Sequence, residues 1–346
     1  MKQKLITLAV AAAITSPAAV LADVNISGQL QTQLVNITTK TSGNGKGIYM
    51  TDGGTVGNVN HGGSWGALSI NASEDLGGGL KALASYGFNI STQDGDSFDK
   101  GITTRQAYVG IAGDFGAVLA GRMNHPYKTA TIGWDPFVGT FMQARLNGGM
   151  GGTAAGDLYG PESSNALAYV GSFEGVRFAV AGIVDEAASA NDPEKTEGKH
   201  AYAFSVNMPL GPVEVALAHA NMSKMAGGAD KASASKVGVK YSAGDFTVAG
   251  QYEMLDEGMG ADKGNVAYVT GSYSMGANTV SLSYGQEDKK LRGSDDNTTY
   301  MAVGVSHAFS QKTNVFAGYR ASTVGAADGA DKNKHNAVGA GMRVRF

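Results

Sequence analysis

The sequence predicts an all-β chain in which sixteen antiparallel strands cross a membrane and close into a β-barrel. Three observations carry that expectation. Apolar and polar residues alternate with a period of two along most of the chain. The connections between these segments are long and short by turns. After the first 22 residues no apolar stretch approaches the roughly 20 residues that a spanning helix needs, which leaves strands as the only route through a bilayer.

The N-terminal segment reads as a secretory signal peptide, 1–22, ahead of a mature chain 23–346. Lys2 and Lys4 precede the apolar run from Leu5 to Ile14, Pro17 breaks it, and Val20-Leu21-Ala22 supplies small residues before the cleavage point. Without those two lysines the 27 basic residues become 25 against 30 acidic ones, a formal net charge of −5. The sequence has no cysteine, so neither a disulfide framework nor a thiolate metal site is available. Its 51 glycines lack the three-residue period and the proline of collagen, and its aromatic content argues against disorder.

The opening strand shows the pattern most clearly. Asn25, Ser27, Gln29, Gln31 and Gln33 form one wholly polar set, while Val24, Ile26, Leu30 and Leu34 belong to the other. Successive side chains of a strand point to opposite faces, so one face is wet and the other apolar. The same contrast sets Tyr86, Phe88 and Ile90 against Lys81, Ser85 and Asn89, and Val338, Met342, Val344 and Phe346 against Arg343 and Arg345. Strands are expected near 23–38, 63–74, 80–92, 103–113, 116–124, 163–172, 175–185, 199–210, 212–223, 232–242, 245–256, 264–275, 278–287, 297–309, 312–323 and 335–346. Eight long and seven short connections fill the fifteen gaps. Outer-membrane barrels have an even strand number, short periplasmic turns and long outer loops, whereas a soluble sandwich has no reason to gather its long loops at one end. In hydrocarbon an open sheet edge would leave backbone groups unpaired, so the first and last strands must meet. At this strand number side chains cannot fill the interior, and the small and polar inner faces suit water.

These segments resemble the general porins of Gram-negative bacteria, in particular the neisserial and β-proteobacterial branch. The resemblance spans the mature chain. It rests on the opening strand from Asp23 to Leu30, on Glu74-Asp75-Leu76-Gly77-Gly78-Gly79-Leu80-Lys81-Ala82, and on Arg105-Gln106-Ala107-Tyr108-Val109-Gly110 followed by Gly121-Arg122. Ser164-Asn165-Ala166-Leu167-Ala168-Tyr169 and the terminal Arg345-Phe346 complete it. It implies a passive channel for small hydrophilic solutes and ions, a homotrimer set in outer-membrane lipid and lipopolysaccharide, and a third outer loop folded into the lumen. It also implies that Phe346 is the handle read by the barrel-assembly machinery.

Residues 125–162 stand where that third loop belongs, and a connection of this length is usually functional. By the resemblance, its carboxylates would face a basic wall across a constriction, with Asp135, Asp157 and Glu162 as the acidic candidates. Counting alternation places Lys81, Arg105 and Arg122 on lumen faces of neighbouring strands. Charge lining a constriction sets ion preference. Ala168 stands where family members often carry arginine, which weakens the expectation of strong anion selectivity; Arg177 on the next strand is the candidate replacement.

No cofactor, metal or nucleic-acid partner is expected. The six histidines lack metal-ligand spacing, and Asp94-Gly95-Asp96 and Asp295-Asp296-Asn297 are lone acidic pairs in long loops. Tyr86, Phe88, Tyr169, Tyr252, Tyr273, Phe309 and Phe346 read as an interfacial girdle. A substrate-selective channel, an outer-membrane enzyme and an adhesin barrel remain the alternatives to a diffusion channel.

Overall fold

The computed structural model describes residues 22–39, 46–53, 55–56, 59–60, 66–92, 102–144, 162–184, 200–221, 233–256, 263–292, 296–324 and 333–346. The segment expected to be a signal peptide, up to Leu21, and Asp157, Asp94, Asp96 and Asp295 lie outside the described residues.

Sixteen strands form the barrel wall. They are β1 (Asp23–Thr39), β2 (Gly66–Gly77), β3 (Leu80–Ile90), β4 (Ile102–Gly113), β5 (Gly116–Asn124), β6 (Glu162–Phe173), β7 (Val176–Val184) and β8 (His200–Leu210). The second half comprises β9 (Val213–Asn221), β10 (Ser233–Ala243), β11 (Phe246–Asp256), β12 (Gly264–Met275), β13 (Asn278–Glu287), β14 (Thr298–Ala308), β15 (Thr313–Val324) and β16 (Asn333–Arg345). Every neighbouring pair is antiparallel, and each boundary falls within about three residues of the one expected from alternation.

Closure is made by β1 and β16, in register from Gln29↔Arg345 to Thr39↔His335. Gly28 and Phe346 exchange both backbone hydrogen bonds at 3.0 Å, extending the seam to the last residue. A Cβ at Gly28 would meet the Phe346 ring at 2.7 Å, so glycine is what lets the terminal ring lie close against the wall.

The sequence reading assigned 39–62 to a loop, but a short strand, Gly47–Thr51, pairs there with Gln33–Ile37 of β1. The lower half of β1, Asp23–Gln29, pairs instead with β2. β1 is longer than its neighbour, and the extra strand satisfies the edge that β2 leaves open. Ile48 and Met50 face outward from it, continuing the apolar band.

That band is read directly from exposure. Leu34, Val109, Leu167 and Leu282 are more than half exposed on the outer face, while their sequence neighbours point inward. Phe115, Phe173, Phe246, Tyr273, Phe309 and Phe346 lie in or beside the short turns, forming one aromatic girdle at that end. The β2–β3 turn is built by Gly77, Gly78 and Gly79, all at positive φ, and the Asp75 carboxylate accepts the Gly77 amide at 2.8 Å.

The inner face departs from the expectation of a uniformly wet lining. Val35, Ile37, Ala249, Tyr268, Tyr300, Ala302, Phe316 and Ala337 are buried beneath Phe137, Phe141, Met142 and Ala144 of the third long connection. Alanines of β8, β9 and β10 are buried beneath Tyr127 and Ala130. Small inner side chains thus serve two purposes: they leave room for water, and they let a loop lie close against the wall.

Candidate functional site

The third long connection leaves β5 at Asn124 and is described through residue 144. His125 caps a single helical turn, Pro126–Thr129: its extended backbone precedes Pro126 at the first helical position, and its Nδ1 accepts the Tyr127 amide at 3.3 Å. Burial, with Lys236 and Lys128 nearby, lowers the His125 pKa to about 4. The neutral ring is what its role as acceptor requires. A short 3₁₀ turn, Ile132–Trp134, follows.

From there the chain runs along the inner wall from β8 round to β1, bonded to inward-facing side chains at each step. Asn207 on β8 donates to the Ala130 carbonyl at 2.9 Å. Tyr127 donates its hydroxyl to Glu253 on β11 at 2.6 Å, and the Thr131 hydroxyl donates to Gln251 at 2.7 Å. Lys236 on β10 stands directly opposite Glu253 in register, donates to Thr131 at 3.1 Å and lies 4.0 Å above the Tyr127 ring. Further round, the Phe141 amide donates to Gln33 at 2.7 Å, and Arg343 holds Gln31 at 2.7 Å and the Val138 carbonyl at 3.0 Å. The polar face of β1 that alternation identified is therefore a docking strip for loop backbone.

Three of the six candidate constriction residues meet. Glu162, the first residue of β6, lies 3.6 Å from Arg105, 3.7 Å from Arg122 and 3.6 Å from Lys128. Arg122 also donates to Ser164 at 2.8 Å, and Lys128 donates to Asn124 at 3.0 Å. Three cations share one carboxylate, which is nearly buried while the Arg105 and Arg122 side chains stay a quarter to a third exposed. The local fold that achieves this is irregular. Strict alternation from Val109 and Ile111, which face outward, would carry Arg105 to the lipid side. A bulge prevents it: Gly87 pairs with Gln106 and Phe88 with Thr104, so the register skips Arg105 and turns it to the other face. A second irregularity lies between Gly121 and Met123, beside Arg122, with Gly121 and Asn165 at positive φ.

The other three candidates are elsewhere. Asp135 is buried against the far wall, accepting from the Phe137 amide at 2.9 Å and the Tyr268 hydroxyl at 3.2 Å. Burial raises its pKa to about 6, against those two donors, which favour the anion. Tyr268 stacks on Tyr300 at 6.1 Å, Arg320 lies 5.4 Å from the Tyr300 ring, and Tyr300 donates to the Met142 carbonyl. Lys81 is exposed beside the Gly78–Gly79 turn, at the barrel end away from the loops. Asp157 is outside the described residues.

Sequence reasoning missed Lys128, Lys236, Glu253 and Arg320. Lys128 carried a signal, since it falls four residues after Asn124 on a Pro-initiated turn. Gln251 and Glu253 alternate with Tyr252 and Met254 in the sequence, and that polar set was the signal for the wall partners.

A closed antiparallel barrel with an apolar outer band, an aromatic girdle and a charged loop lying along its inner wall defines an outer-membrane β-barrel protein. A family profile described as "Gram-negative porin" matches residues 7–327, and the chain belongs to that family. Among curated relatives, the major outer membrane protein P.IB of Neisseria meningitidis serogroup A is 36% identical over 137 residues, 39% of this chain and 38% of that protein. P.IA of Neisseria meningitidis serogroup C is 36% identical over 70 residues, 20% of this chain and 18% of that protein. The chain thus spans less than two fifths of the curated relatives it matches. The fold is also that of the anion-selective porin from Comamonas acidovorans, with a TM-score of 0.72 at 21% identity, covering 94% of this chain and 100% of the other. It likewise matches Salmonella typhi OmpF in complex with daunomycin, with a TM-score of 0.66 at 16% identity, over 94% and 98%.

Proposed function

We propose that the chain forms a water-filled channel in the outer membrane for passive diffusion of small hydrophilic solutes and ions. The observation that carries the reading is the uneven occupation of the inner wall. Residues 126–144 line the arc from β8 to β1, and the Arg105, Arg122, Lys128 and Glu162 cluster stands at the loop's root. Arg105 and Arg122 keep part of their side chains in solvent. Three cations to one carboxylate supports a mild anion preference. Asp135 serves as an anchor of the loop, and Lys81 marks the mouth near the short turns.

Planar-bilayer recording tests this. Stepwise ohmic conductance is the expected result, with a reversal potential in a salt gradient displaced to the anion side. A membrane that stays closed would sink the channel reading.

Among the described residues the enzyme alternative has one candidate pair, His219 Nδ1 and Ser235 Oγ at 2.8 Å. His219 packs among the Tyr202 and Phe204 rings, and no carboxylate is bonded to it among the described residues, so the pair lacks the third group that orients a catalytic base. Export by cleavage after residue 22, a homotrimer in lipid and lipopolysaccharide, and recognition of Phe346 by the assembly machinery belong to the same proposal. A Vibrio cholerae relative in fold, OmpT, is described in a trimer form. Mass analysis of the exported chain, native mass spectrometry, and outer-membrane yield of a Phe346→Ala variant test the three in turn.

A further inference from the structure

Beneath the first turn of the loop, on the side of the short turns, lies a cavity of about 380 Å³ that the constriction does not use. Its size falls within the roughly 300–1,000 Å³ of small-molecule pockets. Four strands, β7 to β10, supply its floor at one level. Arg177 pairs in register with Asn207, and Glu214 with Lys240. Glu214 accepts from Arg177, from Lys240 at 2.6 Å and from Asn207 at 3.0 Å. Two cations on one carboxylate leave a single positive charge. The Arg177 side chain lines the cavity and remains 62% exposed.

The roof is aromatic. Trp134 is half-buried and its ring lies 5.3 Å from the Lys240 ammonium. It fits there because residue 238 is glycine: a Cβ at Gly238 would meet the ring at 2.7 Å. The exposed Gly133 keeps the approach beside it open.

We infer that this cavity is a binding subsite for a small organic monoanion carrying a planar ring, an aromatic carboxylate in chemical class. The carboxylate takes the free edge of the Arg177 guanidinium, whose fork matches it bidentately. The ring lies on Trp134. A monoanion is favoured over a dianion because Glu214 already cancels one of the two cations. The subsite rests on the channel reading for its route of entry, which is the mouth at the short turns, but not for its chemistry.

Binding is therefore read without conduction. Trp134 is one of two tryptophans, so in a Trp65→Phe variant of the full chain its emission reports alone. Benzoate should quench it saturably, with acetate and benzyl alcohol each at least about tenfold weaker, because one lacks the ring and the other the charge. Adding Arg177→Gln should raise the half-saturating benzoate concentration by about tenfold or more, and Arg177→Lys by less. In bilayers benzoate should reduce unit conductance at lower concentration from the short-turn side than from the other. Conductance failing with quenching intact would indict the channel reading alone. Quenching that does not saturate, or is unchanged by Arg177→Gln, overturns the subsite.

Discussion

At its root the inward loop sits among charges, with Lys128, Arg105 and Arg122 around Glu162 and a neutral His125 holding the first turn. At its far end the same loop is dry: Phe137, Phe141 and Met142 are buried on Val35, Tyr300 and Phe316, with Asp135 enclosed beneath Tyr268. Partly exposed ion pairs are each worth about 0–1 kcal/mol, whereas burying a large apolar side chain contributes about 1.5–3 kcal/mol. The far end therefore decides whether the loop is docked, and the root decides what charge it presents. Stability and selectivity are assigned to different ends of one segment.

The largest effect should come from emptying the dry end. Phe141→Ala combined with Met142→Ala removes two fully buried side chains, at about 2–5 kcal/mol each. The loop should release, unit conductance should rise, and protease should cut within 126–144 in folded protein. Gly304→Ala approaches the same seat from the wall, since a Cβ there would meet Phe137 and the Met142 sulfur at 2.8 Å. It should cost about 1–3 kcal/mol. If both variants conduct like the parent, the far end is not the anchor.

Acid should move the two ends in opposite directions. Asp135 is raised from 3.8 to about 6 by burial, so the docked loop binds its proton more readily than the free loop. Docking through Asp135 is then strongest below about pH 4 and weakens as pH rises through 6, by at most about 3 kcal/mol. His125 is lowered from 6.5 to about 4, so its share is complete above 6.5 and is lost as pH falls through 4. The parent should show a shallow profile because the two oppose. Asp135→Asn should expose the acid-side loss alone, and His125→Gln the acid-side gain, both read as protease accessibility of the loop between pH 4 and 7.5. Flat profiles in both variants would remove titration from the account of docking.

Selectivity belongs to the root. Arg105→Gln with Arg122→Gln should move the reversal potential toward cations, and Glu162→Gln should move it the other way by unmasking three positive charges. Thermal stability should change by about 1 kcal/mol or less for the arginine pair. A pair of variants that shift in the same direction would separate the cluster from ion preference.

The division between the ends also explains what the sequence could show. Strand positions were legible because an outer face in lipid is mostly apolar, so Leu30 and Leu34 alternate with Gln31 and Gln33. The purpose of those glutamines was not legible, since the same polar set serves for water or for loop backbone. Counting alternation put Arg105 on the lumen face, yet strict alternation from the outward-facing Val109 and Ile111 points it the other way, and it reaches Glu162 only through a bulge that period-two counting does not contain. Asp135 was singled out as an acidic group facing the lumen, but the Tyr268 and Tyr300 rings that enclose it lie more than a hundred residues away. The strand at Gly47–Thr51 escaped because five residues of alternation inside a glycine-rich connection look like a loop.

The smallest effect should come from Lys81. Its alternation matches the lumen face, yet it stands one residue past Leu80 at the start of β3, level with the turn rather than with Glu162. A charge in the open mouth is surrounded by water on most sides, and at physiological salt its field fades within about 8 Å. Lys81→Gln should therefore leave the reversal potential in 0.1 M salt close to the parent's, while the Arg105 and Arg122 variants shift it. At roughly 0.01 M, where screening extends to about 30 Å, the Lys81 variant should show a measurable loss of anion preference. If Lys81→Gln shifts selectivity as strongly as the arginine pair at 0.1 M, charge recognition is spread along the whole pore, and the root loses its separate standing.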